Sequence, residues 1–534
     1  NTVDINNNNS LTLKGTNVFN DSVTGNGNTE IVNGSSTFKG NVNQSSVTVD
    51  ENATANIQAT VTVSDNFTNS GSVSNSGSVV GKLINNGNID NGNTGILNGT
   101  ITNNSDGIIT SLSNNIISTS NVTNNGKINL TGNNLASNIS GNGSTNIQGN
   151  VTNTSAKTIN QKTINVQSGS LTSAADKLVA TDGITNASTL NLTGGNLASN
   201  ISGSNGSTNI QGNVTNTSAK TINQKTINIQ SGSLTSNADK LIATDGISNS
   251  ANLILTGGTL SSAVSGTNGS TTVQNGTVTL NSSISGNDIN LASTLAIREN
   301  GNISSANSLI AKGGTIDLLN NAISTTNLGN IDLTNNDLFT VLDASLNGSD
   351  NPTADIFNGN IINDSNSIII NSVNLMSDSN YKHSKALITN TLAENIQLAT
   401  SFNLQKASGV SGDYTVTYNN GYLIFDKAGV NNLVIAVRDA DSTYTLENDE
   451  NVVSEINTYS EDGDKTQIGN IAANSFTING SNHSISADGS VKGISVDNNK
   501  NLTVNNVSNF TGFTTAIDNS GTTEINGTTF SNNT

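Results

Sequence analysis

The chain reads as all-β, a right-handed parallel β-helix (solenoid) with a hairpin-containing insertion or cap. Three observations predict it. The composition admits only a thin core, apolar residues recur two apart along nearly the whole length, and a stretch of about 62–63 residues repeats. The expected organisation is a β-helix over 1–400, a hairpin-containing cap or insertion over 401–465, and a resumed β-helix over 466–534 that the chain end truncates.

Asn supplies about a fifth of the 534 residues, and Gly, Ser and Thr fill most of the remaining polar share. Hydrophobic residues are 32%, with no Trp, 11 Phe and 6 Tyr, too few large side chains for a thick globular core. What remains is a core of Ile, Val and Leu, which suits coils that each bury a few residues against the coils above and below. Disorder is the competing reading of such polar text. Charged residues at 11%, a single Pro at Pro352 and the regular apolar spacing oppose it.

Along the chain, Val3 and Ile5, Leu11 and Leu13, Val47 and Val49, and Val61 and Val63 stand two apart, the period of a half-buried strand. Each pair is bounded by Asn, Gly or Ser. Phe67, Val73 and Val79 are spaced six apart, which fits one short strand plus one tight corner, the side of a triangular coil. Asn-Gly and Ser-Gly supply the corners because both residue types tolerate positive φ.

The text STNIQGNVTNTSAKTINQKTIN occupies 144–165 and returns unchanged at 207–228. The looser match aligns Leu130 with Leu192 and Leu192 with Leu255. A fading third copy follows, where LTGGTL at 255–260 echoes LTGGNL at 192–197. This period divides into three coils of about 21 residues, and about 20 to 25 stacked rungs would make a rod on the order of 100 Å. Substitutions between copies sort inside from outside. Val166 becomes Ile229 and Val179 becomes Ile242, exchanges expected of inward positions. Asn191 becomes Ile254 between inward leucines, and Ala174 becomes Asn237, both expected to face out. Asn at equivalent corners would stack into amide ladders, although corner-forming alone also accounts for the Asn excess.

From 401 to 465 the character changes. Residues 413–425 read as a hairpin with Asn-Asn-Gly in its turn, Leu433 to Val437 as a buried strand, and 447–464 as an acidic stretch. Tyr414, Tyr418, Tyr422 and Phe425 form the candidate contact region, because exposed aromatic residues make contacts that a polar rod cannot.

The β-helical pattern then resumes in TING at 477–480, HSI at 483–485, LTVNNV at 502–507 and FTGF at 510–513. This succession resembles the β-helical passengers of autotransporters, and FSNN at 530–533 matches the Phe-x-x-Asn element of the polymorphic outer-membrane proteins. Their companion Gly-Gly-Ala-Ile element is absent from the chain. The match covers about 60 residues; the rest is similar to Asn/Ser/Thr/Gly-rich surface adhesins in pattern. The resemblance implies a secreted structural and adhesive rod at a bacterial cell surface. Its tether would be a C-terminal barrel beyond Thr534, and its partner a protein or glycan of a host or neighbouring cell. An open β-helix end would also allow end-to-end self-association.

Chemistry finds little material. The net charge of -18 contains no basic stripe, and Arg298 and Arg438 are the two arginines, which argues against nucleic acid as a partner. No Cys forbids disulfides and thiolate chemistry, and with only His383 and His483 a zinc site or a Ser-His-Asp triad lacks ligands. No run is apolar enough to span a membrane. A β-helical polysaccharide lyase or hydrolase is the rival function, needing two carboxylates on neighbouring rungs. Asp439 with Asp441, or Asp462 with Asp464, stand i and i+2 in polar turns, where solvation explains them. No catalytic residue, cofactor or metal ligand is therefore predicted. Calcium is the one ion such turns leave open, without the EF-hand spacing or the nonapeptide array.

Overall fold

A computed structural model describes residues 4–346, 352–379, 383–428, 432–438, 442–452 and 467–534. The described residues are nearly all-β, and their parallel stacked strands form β-solenoid turns, about 26 in all. It divides into two compact units, 1–309 and 310–534.

In the first unit each coil contributes three short strands, and each strand pairs in parallel with its equivalent one coil away. One inward column stacks Val23, Val42, Val61, Val79, Leu97 and Ile116. A second stacks Val47, Phe67, Leu83 and Ile101, and a third Ala55, Val73, Ile89, Ile109 and Ile128. All are buried. Phe67, Val73 and Val79 thus fall on three successive sides, as their spacing of six predicts. Burying one such side chain per side contributes about 1.5–3 kcal/mol.

The repeat does not divide into three coils as expected. Thr145, Ile164, Ile184, Ile201 and Ile222 share one column, with coils of 17 residues between Ile184 and Ile201 and 21 between Ile201 and Ile222. Three coils on from Thr145 lies Ile201. The repeat equivalent of Thr145 is instead Thr208, which pairs with Leu190 and Ile227 in the next column round. Likewise Ile164 and its equivalent Ile227 stand in different columns, Ile227 pairing with Ile247. The repeat therefore spans ten sides, three coils and one side more, because the three coils from Thr145 to Ile201 run only 19, 20 and 17 residues.

Core and surface follow the substitutions, with one exception. Val166 and Ile229 are buried, and Asn191 points outward between buried Leu190 and Leu192. Ile242, however, is 43% exposed. Its neighbours Leu241 and Ala243 are the inward pair, and an unbroken apolar triplet carries no alternation from which to phase it.

The Asn excess has both uses that sequence allows. At one inward corner, Asn69 Nδ2 donates to Asn85 Oδ1 (2.8 Å), Asn85 to Asn103 (2.7 Å) and Asn103 to Asn124 (2.7 Å). All four are buried. They also satisfy corner peptides: Asn69 Oδ1 accepts from Gly71 N, Asn85 and Asn103 donate to the Gly87 and Gly107 carbonyls of their own corners, and Asn69 donates to the Asn88 carbonyl one coil on. Corner peptides that turn inward lose sheet partners, and the amide replaces them. Outward ladders occur too, through Asn129, Asn146 and Asn165 and through Asn191, Asn209 and Asn228.

In four places the ladder skips a coil. Asn7 donates to Gln44 (2.6 Å), Asn124 to Gln161 (2.5 Å), Asn186 to Gln224 (2.6 Å) and Asn249 to Asn287 (2.5 Å). The coil between contributes Gly25, Gly141, Gly203 or Gly266 at that place. Gly203 shows why: its φ is +145, and a Cβ there would stand 2.0 Å from the Asn186 carbonyl oxygen.

In the second unit, parallel pairing carries Leu338 over Ile368 and Ile396, and continues to Leu375 over Lys406. A three-stranded antiparallel sheet over 383–427 follows. Three small parallel sheets then form the second run, in which Thr443, Thr477, Thr503 and Glu524 stack. The predicted strand at Leu433 to Val437 is instead part of a helix, Asn432–Arg438. A run of five apolar residues carries no period that separates the two. Leu433, Val434, Ala436 and Val437 bury into the core of this run with Leu446, Ile468, Phe476 and Ile478. A helix satisfies its own backbone while covering that core, which a lone strand does not.

Removing a middle rung of the ladder is expected to cost more than removing an outward Asn. Asn103→Ala strips a donor from Asn124 and from the Gly107 and Lys127 carbonyls. Equilibrium urea unfolding should show a loss of about 1–3 kcal/mol. Asn98→Ala, exposed in the same unit, should stay within about 0.5 kcal/mol of the parent.

Candidate functional site

The predicted hairpin is present. Strands Tyr414–Asn419 and Tyr422–Lys427 pair antiparallel, with Tyr414 opposite Lys427 and Asn419 opposite Tyr422. The two turn residues, Asn420 (φ 43) and Gly421 (φ 88), both take positive φ, as the two-residue turn that matches strand twist requires. A Cβ on Gly421 would also stand 2.7 Å from the Thr389 carbonyl oxygen, so that position needs glycine twice over. A third strand, His383–Leu387, pairs with the other edge of 422–427.

The four aromatic residues do not form one patch. Phe425 is fully buried, edge-on to the Tyr414 ring with centroids 6.3 Å apart, and offers no outer surface. Tyr414 is half-buried, its hydroxyl donating to Asp378 and accepting from Ser379 N at 2.8 Å. The Tyr418 hydroxyl donates to the Ala393 carbonyl (2.6 Å) and accepts from Gly421 N (2.8 Å), tying the turn to 393–395. Tyr422, 41% exposed, is the member left for contact.

Asp378 organises the base of the hairpin. It accepts from Ser411 N and Oγ, from Gly412 N at 2.9 Å and from Tyr414, and Lys427 Nζ lies 3.1 Å away. Burial pushes its carboxyl up, but the bonds from Tyr414, Gly412, Lys427 and Ser411 outweigh it and hold the group well below the ordinary range. Burial, then the bond to Asp378, raises the Tyr414 phenol. Sequence reasoning missed Asp378 and Lys427, since partners 33 to 49 residues apart leave no local pattern.

Elsewhere in the second unit a pair of carboxylates is fully buried. Asp343 accepts from Asn320 N (2.7 Å), Asn321 N (2.8 Å) and Asn374 Nδ2 (2.6 Å). Asp355 accepts from Ser324 N and Oγ (2.8 and 2.9 Å) and from the Asp343 amide (2.8 Å). Burial raises the Asp355 carboxyl to about 6 despite these bonds. A raised carboxyl beside another acid is the profile of a general acid. Here every oxygen is occupied, by donors from 320–324, from Asn374 and from the Asp343 backbone, so the pair clamps the 320–324 loop.

Of the acidic residues that sequence offered as catalytic or calcium ligands, Asp439, Asp441, Asp462 and Asp464 lie outside the described residues. Among the described residues no three His, Cys, Asp or Glu side chains converge as a metal site would require. His483 Nδ1 lies 3.6 Å from Asp449, and His383 opens the third strand of the hairpin sheet. Among the described residues no helix is long and apolar enough to cross a membrane. Comparison with protein-family models finds no match, and comparison with curated proteins finds none.

The Asp355 clamp predicts a pH signature. Its folded pKa lies above the unfolded value, so between about pH 4 and 6 the folded state holds a proton that the unfolded chain has released. Its contribution is therefore fully present below pH 4 and is lost as pH rises through 6. The unfolding free energy of the parent minus that of Asp355→Asn should fall by on the order of 2–3 kcal/mol from pH 4 to 7. A flat difference would show that Asp355 titrates normally.

Proposed function

We propose that the chain is an extracellular structural and adhesive element, a stretch of an autotransporter-type β-helical passenger displayed at a bacterial cell surface. Its partner on this reading is a protein or glycan of a host or neighbouring cell. The observation that carries the reading is the ten-side repeat. The same outward text recurs in the first unit, yet each copy is turned one side from the last. A catalytic groove needs one fixed arrangement of side chains, whereas a surface that meets partners from many directions gains from repeating its exterior around the axis.

The resemblance of 476–533 to passenger text supports the same role, and so does the polar, Asn- and Thr-lined exterior. The stack itself serves as the spacer. Its stiffness follows from parallel strand pairing between neighbouring coils and from the amide ladders that run along the first unit, and Tyr422 on the hairpin sheet is an aromatic side chain offered outward.

The test is attachment of the purified, fluorescently labelled chain to epithelial and bacterial cells. Saturable attachment is expected, reduced several-fold by Tyr422→Ser without change in the unfolding midpoint. Turnover of pectin or a related polyanion, abolished by changing one acidic residue, would instead establish an enzyme.

A further inference from the structure

The first two repeat copies carry an identical loop at 153–158 and 216–221. Asn153 closes it, its amide donating to the Lys157 carbonyl (2.5 Å) and its Oδ1 accepting from Lys157 N (2.8 Å). Asn216 and Lys220 repeat this (2.6 and 2.8 Å). Ala156 and Ala219 both sit at φ 51. Each loop rests on two Asn of the preceding coil. Asn134 Oδ1 accepts from Thr154 N (3.1 Å) and Asn138 Oδ1 from Thr158 N (2.8 Å). In the second copy Asn196 and Asn200 accept from Thr217 and Thr221 (3.2 and 3.0 Å).

The third copy has lost all of this together. Gly195 pairs with Val214, and its equivalent Gly258 with Val278; Ile201 pairs with Ile222, and its equivalent Val264 with Ile284. The connection from 278 to 284 is thus two residues shorter than that from 214 to 222. Thr259 and Ala263 stand where Asn196 and Asn200 held the loop. At this corner a groove of about 590 Å³ opens, lined by Thr244, Asp245, Ser261, Ala263, Ser282 and Asn300 among others.

We propose that this groove binds a neutral carbohydrate, one or two sugar units of a glycan. The volume lies in the range of small-ligand sites. Its walls pair a carboxylate acceptor with hydroxyls that both donate and accept and with amides, the set that vicinal sugar hydroxyls require. The exposed Ala263 methyl supplies a small apolar contact for the C–H face of a ring. Asp245 lies 3.5 Å from Lys225, so the wall carries no net charge to draw an anionic ligand. Because the loop occupies this corner in the first two copies, the groove opens in the third copy alone among the three. The inference rests on the surface-contact role and narrows its partner to a glycan.

Saturation-transfer NMR on the full chain, with glucose, galactose, N-acetylglucosamine, maltose and lactose as probes and a sulfated disaccharide as the anionic comparison, tests it. At least one neutral sugar should receive saturation, with a titration that fits one site. Asp245→Asn and Asn300→Ala should each weaken binding at least fivefold with unchanged unfolding. A chain carrying Thr259→Asn and Ala263→Asn, with 278–284 replaced by the text of 214–222, regains a loop that the fold already accommodates twice. It should lose binding at least tenfold. No saturation of any neutral sugar, preference for the sulfated probe alone, or full binding by the loop-restored chain overturns the proposal. Cell attachment, read in parallel, separates the two ideas. A chain that takes sugar but does not attach upholds the groove and overturns the surface role, and attachment without sugar saturation does the reverse.

Discussion

The inward amide ladder is the interaction on which the rest of the solenoid depends. A coil of about 19 residues must turn three corners, and each turn points peptide groups where no neighbouring strand can pair them. Asn69, Asn85 and Asn103 solve this with an amide that donates both to the next Asn of the stack and to backbone carbonyls, and Asn69 also accepts from Gly71 N. Aliphatic columns alone would hold the sides but leave the corners unsatisfied. The thin core is sufficient because the corners carry hydrogen bonds that a globular protein would place elsewhere.

Much of this was legible in the sequence. Alternation at Val61 and Val63 and the spacing of Phe67, Val73 and Val79 located strands and corners, because a strand period of two survives any tertiary context. The hairpin was legible from Asn420-Gly421 between aromatic runs. What failed had no period to read. Leu433 to Val437 is too short to separate helix from strand, and the triplet 241–243 is apolar throughout, so Ile242 was phased inward when it faces out. The coil length also escaped, since a repeat reports only the product of coil length and coil number, and ten sides look like nine slightly longer ones.

The candidate contact site was legible in part. Aromatic residues at 414–425 did mark a separate sheet, but composition does not say which face is covered. Phe425 and Leu423 turn inward as alternate residues must, leaving Tyr422 outside. Asp378, which ties Tyr414 and Lys427 together, and the Asp343 and Asp355 pair owe their roles to distant donors. The skipped-coil amides, by contrast, leave a signal. Each intervening coil reads β-branched, Ser or Thr, Gly, then Gly and Thr, as in 23–29, 139–145, 201–208 and 264–271.

The ten-side period also bears on how such a stack evolves. A duplication of nine sides would lengthen it and leave the orientation of later coils untouched. Duplicating this unit adds about 16 Å of axial rise and rotates the coils that follow in the same stack by roughly a third of a turn. Copy number then acts as an angular setting. Gaining or deleting one unit re-aims a downstream feature without altering a single one of its residues, and three units restore the original heading.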